Sequence, residues 1–354
     1  MAGREGAGPP PGASAGAGPA KLLVVANPAA PETAVLQRLP AGVELVAVSP
    51  APAADVAPEA LAEVTVVLNC GVGPNAGKKS DLQAAWPLMP GLRWLHSASA
   101  GLEHLLGGWP ELVASDVVLT NAAGVYAHSL AEFALFGCKY FALDVPRLAR
   151  QKAGRTWQKF DVEELRGRTL GIVGYGGIGR AVGRLAAAHG MRVVAARRNP
   201  GKSEPNEVVA EVFGSGPGEL AALAATCDYL VVATPATPAT TDPPILSAAV
   251  LAAMKPSAVL VSVGRGKCVD EAALVATLEA GRLKGAALDV FAEEPLPAAS
   301  PLWDLPNVLI TPHCADQTAT FQFDSLEFFL ANCERYVAGG VAALQNVADK
   351  RNGY

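Results

Sequence analysis

The chain has 354 residues, of which 51% are apolar and 17% are charged. This composition predicts a globular protein with substantial apolar cores and enough length for two domains of ordinary size. The formal net charge of -5 is small, and no run of Lys and Arg exceeds two residues. Binding to nucleic acid or to a membrane surface is therefore not expected, and a small molecule is the expected partner.

The N-terminal segment and the cysteines bear on where the protein acts. Residues 1–20 are mostly Gly, Ala and Pro; they predict a disordered tail without the features of a secretory signal or transit peptide. The six cysteines form no Cys-x-x-Cys pair, so we expect buried thiols in a reducing compartment. No apolar run reaches the ~18 residues of a membrane span. We expect a cytoplasmic protein without a metal site, with organellar import left open.

Short β-branched runs alternate with helix-length segments along the chain. The first series of predicted strands covers residues 22–25, 45–48, 64–69, 92–97 and 117–121. The second series covers residues 169–173, 192–196, 229–234, 258–263, 285–290 and 308–311. Such alternation predicts an α/β protein with two doubly wound units, each built on a parallel sheet covered on both faces.

Three segments outside these strands are predicted to form a helix and two loops. Residues 126–143 are apolar-rich and predict a helix that bridges the two domains, which Pro146 should kink or end. Segments 199–218 and 234–244, rich in Gly or Pro, follow strands at the edge where open α/β sheets bind ligands. They are predicted to line a cofactor; ordinary surface connections are the alternative.

A glycine-rich turn between a predicted strand and a predicted helix indicates dinucleotide binding. Gly174 permits the tight turn, Gly176 lets the backbone approach a pyrophosphate, and Gly179 lets helix and strand pack closely. The helix ends at a glycine, Gly190, as expected of the residue after a helix. The predicted cofactor contacts in the turn are Gly174, Tyr175, Gly176, Gly177, Ile178 and Gly179. The alternative is a glycine turn without a ligand.

The end of the next predicted strand, 192–196, indicates which dinucleotide is bound. An NAD-selective site has an acidic residue there, whereas this chain has Arg197 and Arg198. Guanidinium groups suit a 2′-phosphate, and no carboxylate is present to repel it. We therefore expect NADP to be the preferred cofactor, with NAD as the second candidate. The alternative is that both arginines are solvated surface charges.

Three later strand ends have side chains suited to hydride chemistry. Arg265 follows the predicted strand at 258–263, whereas Glu294 and His313 follow the last two predicted strands. Reduction of a 2-keto acid needs an anion anchor, a proton donor and a group that keeps the donor charged. Arg265, His313 and Glu294 can fill these three roles. Each residue alone has a structural explanation, so the prediction depends on their combination with the glycine turn.

Several motifs accompany these residues. They are Pro-Ala-Thr-Pro-Ala-Thr at 235–240, Met-Lys-Pro at 254–256, Gly-Arg-Gly at 264–266, Asp-Val-Phe at 289–291, Glu-Pro-Leu at 294–296, Pro-Leu-Trp at 301–303 and Thr-Pro-His at 311–313. With the glycine turn, they make the segment from Gly171 to Ala315 resemble the D-isomer-specific 2-hydroxyacid dehydrogenase family. The resemblance implies a Rossmann-type doubly wound cofactor domain inserted into a flavodoxin-like substrate domain.

The resemblance also implies roles for individual residues. It places the family's catalytic set on Arg265, Glu294 and His313, with Glu294 chosen over Glu293 because it begins the Glu-Pro-Leu motif. It places a nicotinamide contact on Asp289. Further cofactor contacts are implied at Thr234, Pro235, Val263 and Gly264.

Weaker similarity to the family extends to the N-terminal part. Residues 97–106 resemble its substrate loop, so the N–H groups near Ala100 and Gly101 are expected to bind the substrate carboxylate together with Arg265. A glycine loop followed by a helix start is the alternative. The implied substrate domain is 21–122 with 315–354, and the implied dinucleotide-binding domain is 123–314. A homodimer through the cofactor domain is also implied.

The chain departs from the family pattern near the predicted site. Ser262 replaces the usual Asn before the Arg-Gly pair, and Asp316 stands where glycine is usual. Asp316 either favours the charged form of His313 or caps a helix beginning near residue 317, and we prefer the cap. Cys314 is expected to be a packed small residue rather than a reactive thiol.

These patterns predict an NADPH-preferring reductase that converts small 2-keto acids, such as glyoxylate or hydroxypyruvate, to 2-hydroxy acids of D configuration. The alternative is a dinucleotide-sensing corepressor or scaffold that uses the same fold without turnover. That alternative is disfavoured because it does not need the Arg, Glu and His set. Phosphoglycerate dehydrogenase and formate dehydrogenase are disfavoured because the segments at the two ends of the chain are short.

Overall fold

A computed structural model describes residues 18–71, 76–202, 205–206 and 208–353. The predicted disordered tail, except residues 18–20, therefore lies outside the described residues. Part of the predicted loop at 199–218 lies outside them as well.

The described residues form twelve strands and thirteen α-helices. The strands are β1 Ala20–Val25, β2 Val43–Val48, β3 Val66–Asn69, β4 Trp94–Ser97, β5 Val118–Asn121, β6 Thr169–Val173, β7 Arg192–Ala196, β8 Glu211–Phe213, β9 Tyr229–Val232, β10 Val259–Ser262, β11 Gly285–Leu288 and β12 Val308–Ile310. The helices are α1 Pro52–Asp55, α2 Pro58–Ala62, α3 Lys79–Ala85, α4 Glu103–Leu106, α5 Pro110–Ala114, α6 Ala127–Ala142, α7 Val145–Ala153, α8 Gly177–Ala188, α9 Pro217–Thr226, α10 Pro238–Thr241, α11 Ala248–Ala253, α12 Glu271–Glu279 and α13 Phe321–Gly339.

The chain divides into two compact units. The first consists of Met1–Ala123 and Gln322–Tyr354, and the second is the intervening segment Gly124–Phe321. The second unit is therefore inserted into the first in sequence. The resemblance implies domain boundaries after residues 122 and 314, whereas the compact units divide after residues 123 and 321.

The first unit contains one parallel five-stranded sheet. Its strand order is β2-β1-β3-β4-β5, which is the flavodoxin-like order and confirms that part of the predicted fold class. One face of the sheet is covered by α13 through Leu326, Phe329 and Cys333. Leu82 and Leu105 belong to the apolar cluster on the opposite face. Both faces of this sheet are thus buried, as expected for a parallel sheet.

The second unit contains one parallel seven-stranded sheet in the order β12-β11-β10-β9-β6-β7-β8. The order reverses beside β6, which is the switch point of a Rossmann-type sheet and confirms the other part of the fold class. Leu223 of α9, Leu251 of α11 and Leu274 of α12 belong to one core cluster of this unit. A Cβ added at Gly137 of α6 would lie 2.8 Å from the Cβ of Ala287, so α6 packs closely on β11.

Of two sequence expectations about the second unit, the helix at 126–143 is confirmed and the role of Pro146 is wrong. The helix is α6, and all of its residues belong to this unit. The turn after α6 is made by Asp144, whose φ is 47° and whose side chain accepts a hydrogen bond from the N–H of Arg147 at 3.2 Å. Pro146 instead lies in the first turn of α7, where a helix does not need its N–H.

The predicted loop 199–218 contains a strand that the sequence did not reveal. β8 is only three residues long and pairs with β7 at the edge of the sheet. Such a short, partly exposed strand lacks the apolar run that identifies buried strands. The predicted loop 234–244 likewise contains the short helix α10.

Candidate active site

The glycine turn connects β6 to α8 at the switch point of the second sheet. Gly174 has a φ of 98°, a conformation that residues with a side chain rarely adopt. A Cβ at Gly179 would lie 2.3 Å from the Gly174 carbonyl oxygen, so only glycine allows this close packing. A Cβ at Gly176, in contrast, would meet no atom within 4 Å. The turn therefore leaves open space in front of the N-terminus of α8, where a pyrophosphate fits.

The other side chains of the turn have different surroundings. Tyr175 is buried, with its ring 3.4 Å from the position of a Cβ at Gly183, and burial raises the pKa of its hydroxyl. This side chain therefore packs on α8, and Tyr175 can face a cofactor only through its backbone. Gly190 has a φ of 73° after the last turn of α8, which confirms the predicted helix end.

The loops after β9 and β10 pack on each other beside the turn. A Cβ at Gly264 would lie 2.5 Å from the carbonyl oxygen of Thr234, so these backbones are in close contact. Val263 is buried, and its N–H donates to the Val232 carbonyl at 3.0 Å. The Pro235 carbonyl accepts a hydrogen bond from the Thr240 hydroxyl. The Thr234 hydroxyl oxygen is buried without a hydrogen-bond partner. An orphaned hydroxyl at this edge fits a bound polar group such as a dinucleotide.

Arg197 and Arg198 follow β7 at the same edge of the sheet. The Arg197 N–H donates to the Phe213 carbonyl of β8 at 3.1 Å. This hydrogen bond fixes the backbone of Arg197 beside β8. Arg197 is half-buried and Arg198 is exposed. Two guanidinium groups therefore lie at the strand end where Rossmann sheets bind the adenine ribose.

Arg265 lies between β10 and a short 3-10 helix, Gly266–Cys268. Its guanidinium donates to the Gly264 carbonyl at 2.9 Å, and its side chain is half-buried. A Cβ at Gly266 would lie only 1.9 Å from the Phe291 carbonyl carbon, so glycine is required where the loops after β10 and β11 meet. This contact brings Arg265 close to the loop that contains Glu294.

His313 and Glu294 form a hydrogen-bonded pair. The Nδ1 atom of His313 lies 2.7 Å from Oε2 of Glu294, and the other carboxylate oxygen accepts the Phe291 N–H at 2.9 Å. The two side chains are 40% and 34% exposed, respectively, so the pair is open to a small molecule. This hydrogen bond orients the imidazole ring and leaves Nε2 as the ring atom able to exchange a proton.

Asp289 organises the loop that contains His313. Its buried carboxylate accepts hydrogen bonds from the Thr311 hydroxyl at 2.7 Å and from the N–H groups of Cys314 and Ala315 at 3.0 and 3.2 Å. Its carbonyl accepts the N–H of His313 at 2.9 Å. These bonds hold His313 at a φ of 49°, an uncommon value for a residue with a side chain. Through these contacts Asp289 anchors the loop that contains His313.

A carboxylate that sequence reasoning missed supports the Glu294 loop. Glu271, the first residue of α12, accepts the N–H of Ala292 at 2.9 Å through Oε2. The two residues are far apart in sequence, and no local pattern predicts their pairing. Glu271 and Glu294 together hold consecutive N–H groups of this loop, at Ala292 and Phe291.

Two expectations about the residues after His313 are wrong. Asp316 does not cap a helix, because the next helix begins at Phe321 and the Asp316 carboxylate instead accepts from the Gln317 side chain at 3.2 Å. Burial raises the pKa of Asp316, although His313 lowers it in part. Cys314 is exposed rather than packed, unlike the other five cysteines, and partial burial and the carboxylates of Asp289 and Asp316 raise its pKa.

The predicted substrate loop follows β4 in the first unit. Ala100 and Gly101 lie between β4 and the short helix α4, and both are half-buried. Among the described residues, neither the Ala100 N–H nor the Gly101 N–H has a hydrogen-bond acceptor. Two unpaired N–H groups at the carboxyl end of a parallel strand are suited to an anionic group.

Two further findings concern only the residues that the structure describes. None of their helices is both long and apolar enough to cross a membrane. Their His, Cys, Asp and Glu side chains form no cluster of three or more with the geometry of a metal site.

Comparison with known proteins identifies the family. The model described as "D-isomer specific 2-hydroxyacid dehydrogenase, NAD binding domain" matches residues 141–315. The glyoxylate/hydroxypyruvate reductase B of Pectobacterium carotovorum is 35% identical over 235 residues, which are 64% of this chain and 70% of that protein. The chain belongs to the D-isomer specific 2-hydroxyacid dehydrogenase family. It is accordingly an oxidoreductase that uses a nicotinamide dinucleotide, as the motifs predicted.

Other relatives and solved structures of this dehydrogenase family agree. The D-3-phosphoglycerate dehydrogenase of Mycobacterium tuberculosis is 33% identical over 235 residues, which cover 66% of this chain but only 43% of that protein. A family member from Xanthobacter autotrophicus, solved with NADPH and MES, has a TM-score of 0.76 and 28% identity, covering 96% of this chain and all of that one. An NADPH-dependent glyoxylate/hydroxypyruvate reductase from Sinorhizobium meliloti, solved with NADP and sulfate, has a TM-score of 0.75 and 27% identity, covering 95% of this chain and 100% of that one.

Proposed function

We propose that this dehydrogenase reduces short 2-keto acids to 2-hydroxy acids of D configuration, with glyoxylate and hydroxypyruvate as the leading substrates. The observation that most supports this proposal is the His313–Glu294 pair, 2.7 Å apart, beside the loop of Arg265. All three residues follow strands of the sheet that also contains the glycine turn. The names of the Pectobacterium and Sinorhizobium relatives support the two substrates.

Each residue of the set has a separate role in the proposed reaction. A reduced nicotinamide held by the second unit would supply the hydride that C2 of the keto acid accepts. Arg265 binds the substrate carboxylate through its planar guanidinium and polarises the neighbouring carbonyl. His313 donates the proton at Nε2 to the developing alkoxide, while Glu294 stabilises the imidazolium and fixes the orientation of its ring. In the reverse direction, His313 accepts that proton.

NADP is the proposed physiological cofactor, held in the second unit. The glycine turn 174–179 binds the pyrophosphate, and the loops containing Thr234, Pro235, Val263 and Gly264 bind the ribose and nicotinamide side. Asp289 contacts the nicotinamide in this proposal. Arg197 and Arg198 are proposed to bind the 2′-phosphate, because guanidinium groups pair with phosphate through several N–H donors. NADPH and NADP in structures of the relatives support this choice.

The N–H groups of Ala100 and Gly101 are proposed to bind the substrate carboxylate. Support comes from the lack of any acceptor for those two N–H groups among the described residues. Backbone donors at a loop bind a carboxylate without adding a charge of their own.

Replacement of His313 by Ala tests the proposal directly. We expect turnover of 2-keto acids to fall by at least about a hundredfold, because the proton donor is lost, while NADPH affinity stays unchanged. Steady-state kinetics and calorimetric titration with NADPH separate the two quantities. Unchanged rates in the variant would refute the assignment. Tight NADPH binding without any turnover in the native protein would favour the sensing-scaffold alternative.

A homodimer and a cytosolic location complete the proposal. Large exposed apolar side chains on α6, α7 and the following segment suit a surface that a second copy covers. These side chains are Phe136, Leu143, Leu148, Trp157 and Val162. The six cysteines are free thiols, which suits a reducing compartment such as the cytosol. Light scattering at several protein concentrations tests the dimer, and a monomeric mass throughout would contradict it.

A further inference from the structure

Side chains at the ends of two neighbouring strands hold the loop that contains Ala100 and Gly101. Ser97 at the end of β4 and Asn121 at the end of β5 are paired residues in the parallel register and are both buried. The Ser97 hydroxyl accepts the N–H of Ser99 at 3.3 Å. The Asn121 amide donates through Nδ2 to the carbonyl of Ala100 at 2.7 Å. The loop is therefore fixed by specific side chains rather than by packing alone.

The bond from Asn121 determines where the next N–H points. A trans peptide is planar, and its C=O and N–H groups point in opposite directions. Because the Ala100 carbonyl points to Asn121, the Gly101 N–H of the same peptide points away from Asn121. That N–H is one of the two groups for which the described residues provide no acceptor.

Asn121 is itself held in one orientation. Its Oδ1 atom accepts the N–H of Ala123 at 3.2 Å, which leaves Nδ2 to donate to Ala100. Its backbone exchanges two hydrogen bonds with Asn346: the Asn121 N–H donates to the Asn346 carbonyl at 3.3 Å, and Nδ2 of Asn346 donates to the Asn121 carbonyl at 3.2 Å. The residue is only 4% exposed. The bond from Ala123 and the burial of the side chain pre-organise Nδ2 to orient the loop peptide, whereas Asn346 contacts only the Asn121 backbone.

We propose that Asn121 is a positioning residue for the substrate, because it turns the Ala100–Gly101 peptide so that the Gly101 N–H faces a carboxylate. This inference rests on the proposed function, since it takes that carboxylate to belong to a 2-keto acid. Asn121 does not touch the substrate or the cofactor in this proposal. Its effect is therefore on binding of the carboxylate and not on the chemical step or on the dinucleotide.

Replacement of Asn121 by Ala tests this inference, with oxamate as a carboxylate probe that needs no turnover. We expect the KM for the 2-keto acid and the dissociation constant of oxamate in the presence of NADPH to rise about tenfold, the usual effect of a misplaced donor to a charged group. The kcat value and the KM for NADPH should change less than about threefold. Asn121→Asp keeps the acceptor for Ala123 and loses the donor to Ala100, so it should weaken oxamate binding as well.

Asn346→Gly is the matched control. Glycine adopts the φ of 56° at this position without strain, and the variant loses the side-chain bonds to Asn121 and Ala123 while the bond to Ala100 remains. It should lower the melting temperature and leave oxamate binding within about twofold. Equal weakening of oxamate binding in the Asn121 and Asn346 variants, or none in the Asn121 variants, would overturn the inference. Weakened oxamate binding in a protein that reduces no keto acid would refute the proposed function alone.

Discussion

Replacement of Glu294 by Gln removes one charge from the candidate site and little else. The Gln side chain has the same shape. Its carbonyl oxygen can still accept the Phe291 N–H, whose nitrogen lies 2.9 Å from Oε1 of Glu294 in the native protein. It cannot at the same time offer a second, charged oxygen to Nδ1 of His313, which is 2.7 Å from the carboxylate in the native protein. The variant therefore isolates the contribution of the Glu294 charge to the proposed proton transfer by His313.

The size of the effect follows from the distance and the exposure of the pair. Opposite unit charges ~4 Å apart attract by about 4 kcal/mol at an effective dielectric constant of about 20. The His313 and Glu294 side chains are 40% and 34% exposed, so solvent screens much of this attraction. About 1.5 kcal/mol, the lower value for a hydrogen bond to a charged group, is the reasonable expectation. That free energy corresponds to about a tenfold fall in kcat/KM.

Steady-state kinetics with a 2-keto acid measures this fall, and Glu293→Gln is its control. Glu293 is the adjacent exposed residue, with no hydrogen bond to His313 among the described contacts, and the control removes the same charge. We expect Glu293→Gln to change kcat/KM less than about twofold, as a screened surface charge would. Equal losses in both variants, or less than a twofold loss in Glu294→Gln, would refute the reasoning.

Three further predictions concern cofactor binding and stability. Gly176→Ala should preserve the melting temperature, since the added Cβ meets no atom within 4 Å, but weaken NADPH binding by about tenfold in a fluorescence titration; unchanged binding would contradict the pyrophosphate site. The double variant Arg197→Ala, Arg198→Ala should lower the NADPH-to-NADH ratio of kcat/KM by about tenfold, and an unchanged ratio would show that neither arginine reads the 2′-phosphate. Burial raises the pKa of Asp316, so its charged form costs stability; that cost is absent below the unfolded-state pKa and develops as the pH rises through the folded-state pKa. Asp316→Asn should therefore raise the melting temperature at neutral pH and not in acid. A melting temperature raised in acid but not at neutral pH would contradict this reasoning.

The sequence was sufficient to locate the candidate site because strand ends are visible in local patterns. Arg265 and His313 follow short apolar runs bounded by Gly or Pro, and parallel strands bring their carboxyl ends to one edge. The glycine turn was equally visible, because Gly174 and Gly179 each meet a requirement that no other residue satisfies. The family motifs then distinguished Glu294 from Glu293, which no local physical argument did.

The remaining features depend on contacts between residues distant in sequence. Glu271 holds the loop at Ala292, and Asn121 holds the loop at Ala100, without any pattern in the chain that links the partners. The start of α13 was misplaced because Asp316 resembles a helix cap, whereas its carboxylate bonds to Gln317 and the helix begins later. The edge strand β8 was missed because it is three residues long and partly exposed, so it lacks the apolar run of a buried strand.

The central claim is that Arg265 binds a 2-keto acid and that His313, supported by Glu294, protonates it while NADPH supplies the hydride. The most direct test follows the absorbance of NADPH and NADH, side by side, during incubation of the native protein with short 2-keto acids. The account predicts NADPH oxidation with glyoxylate or hydroxypyruvate, formation of a D-hydroxy acid where the product is chiral, and slower oxidation of NADH. Tight NADPH binding without oxidation by any of these acids would contradict it.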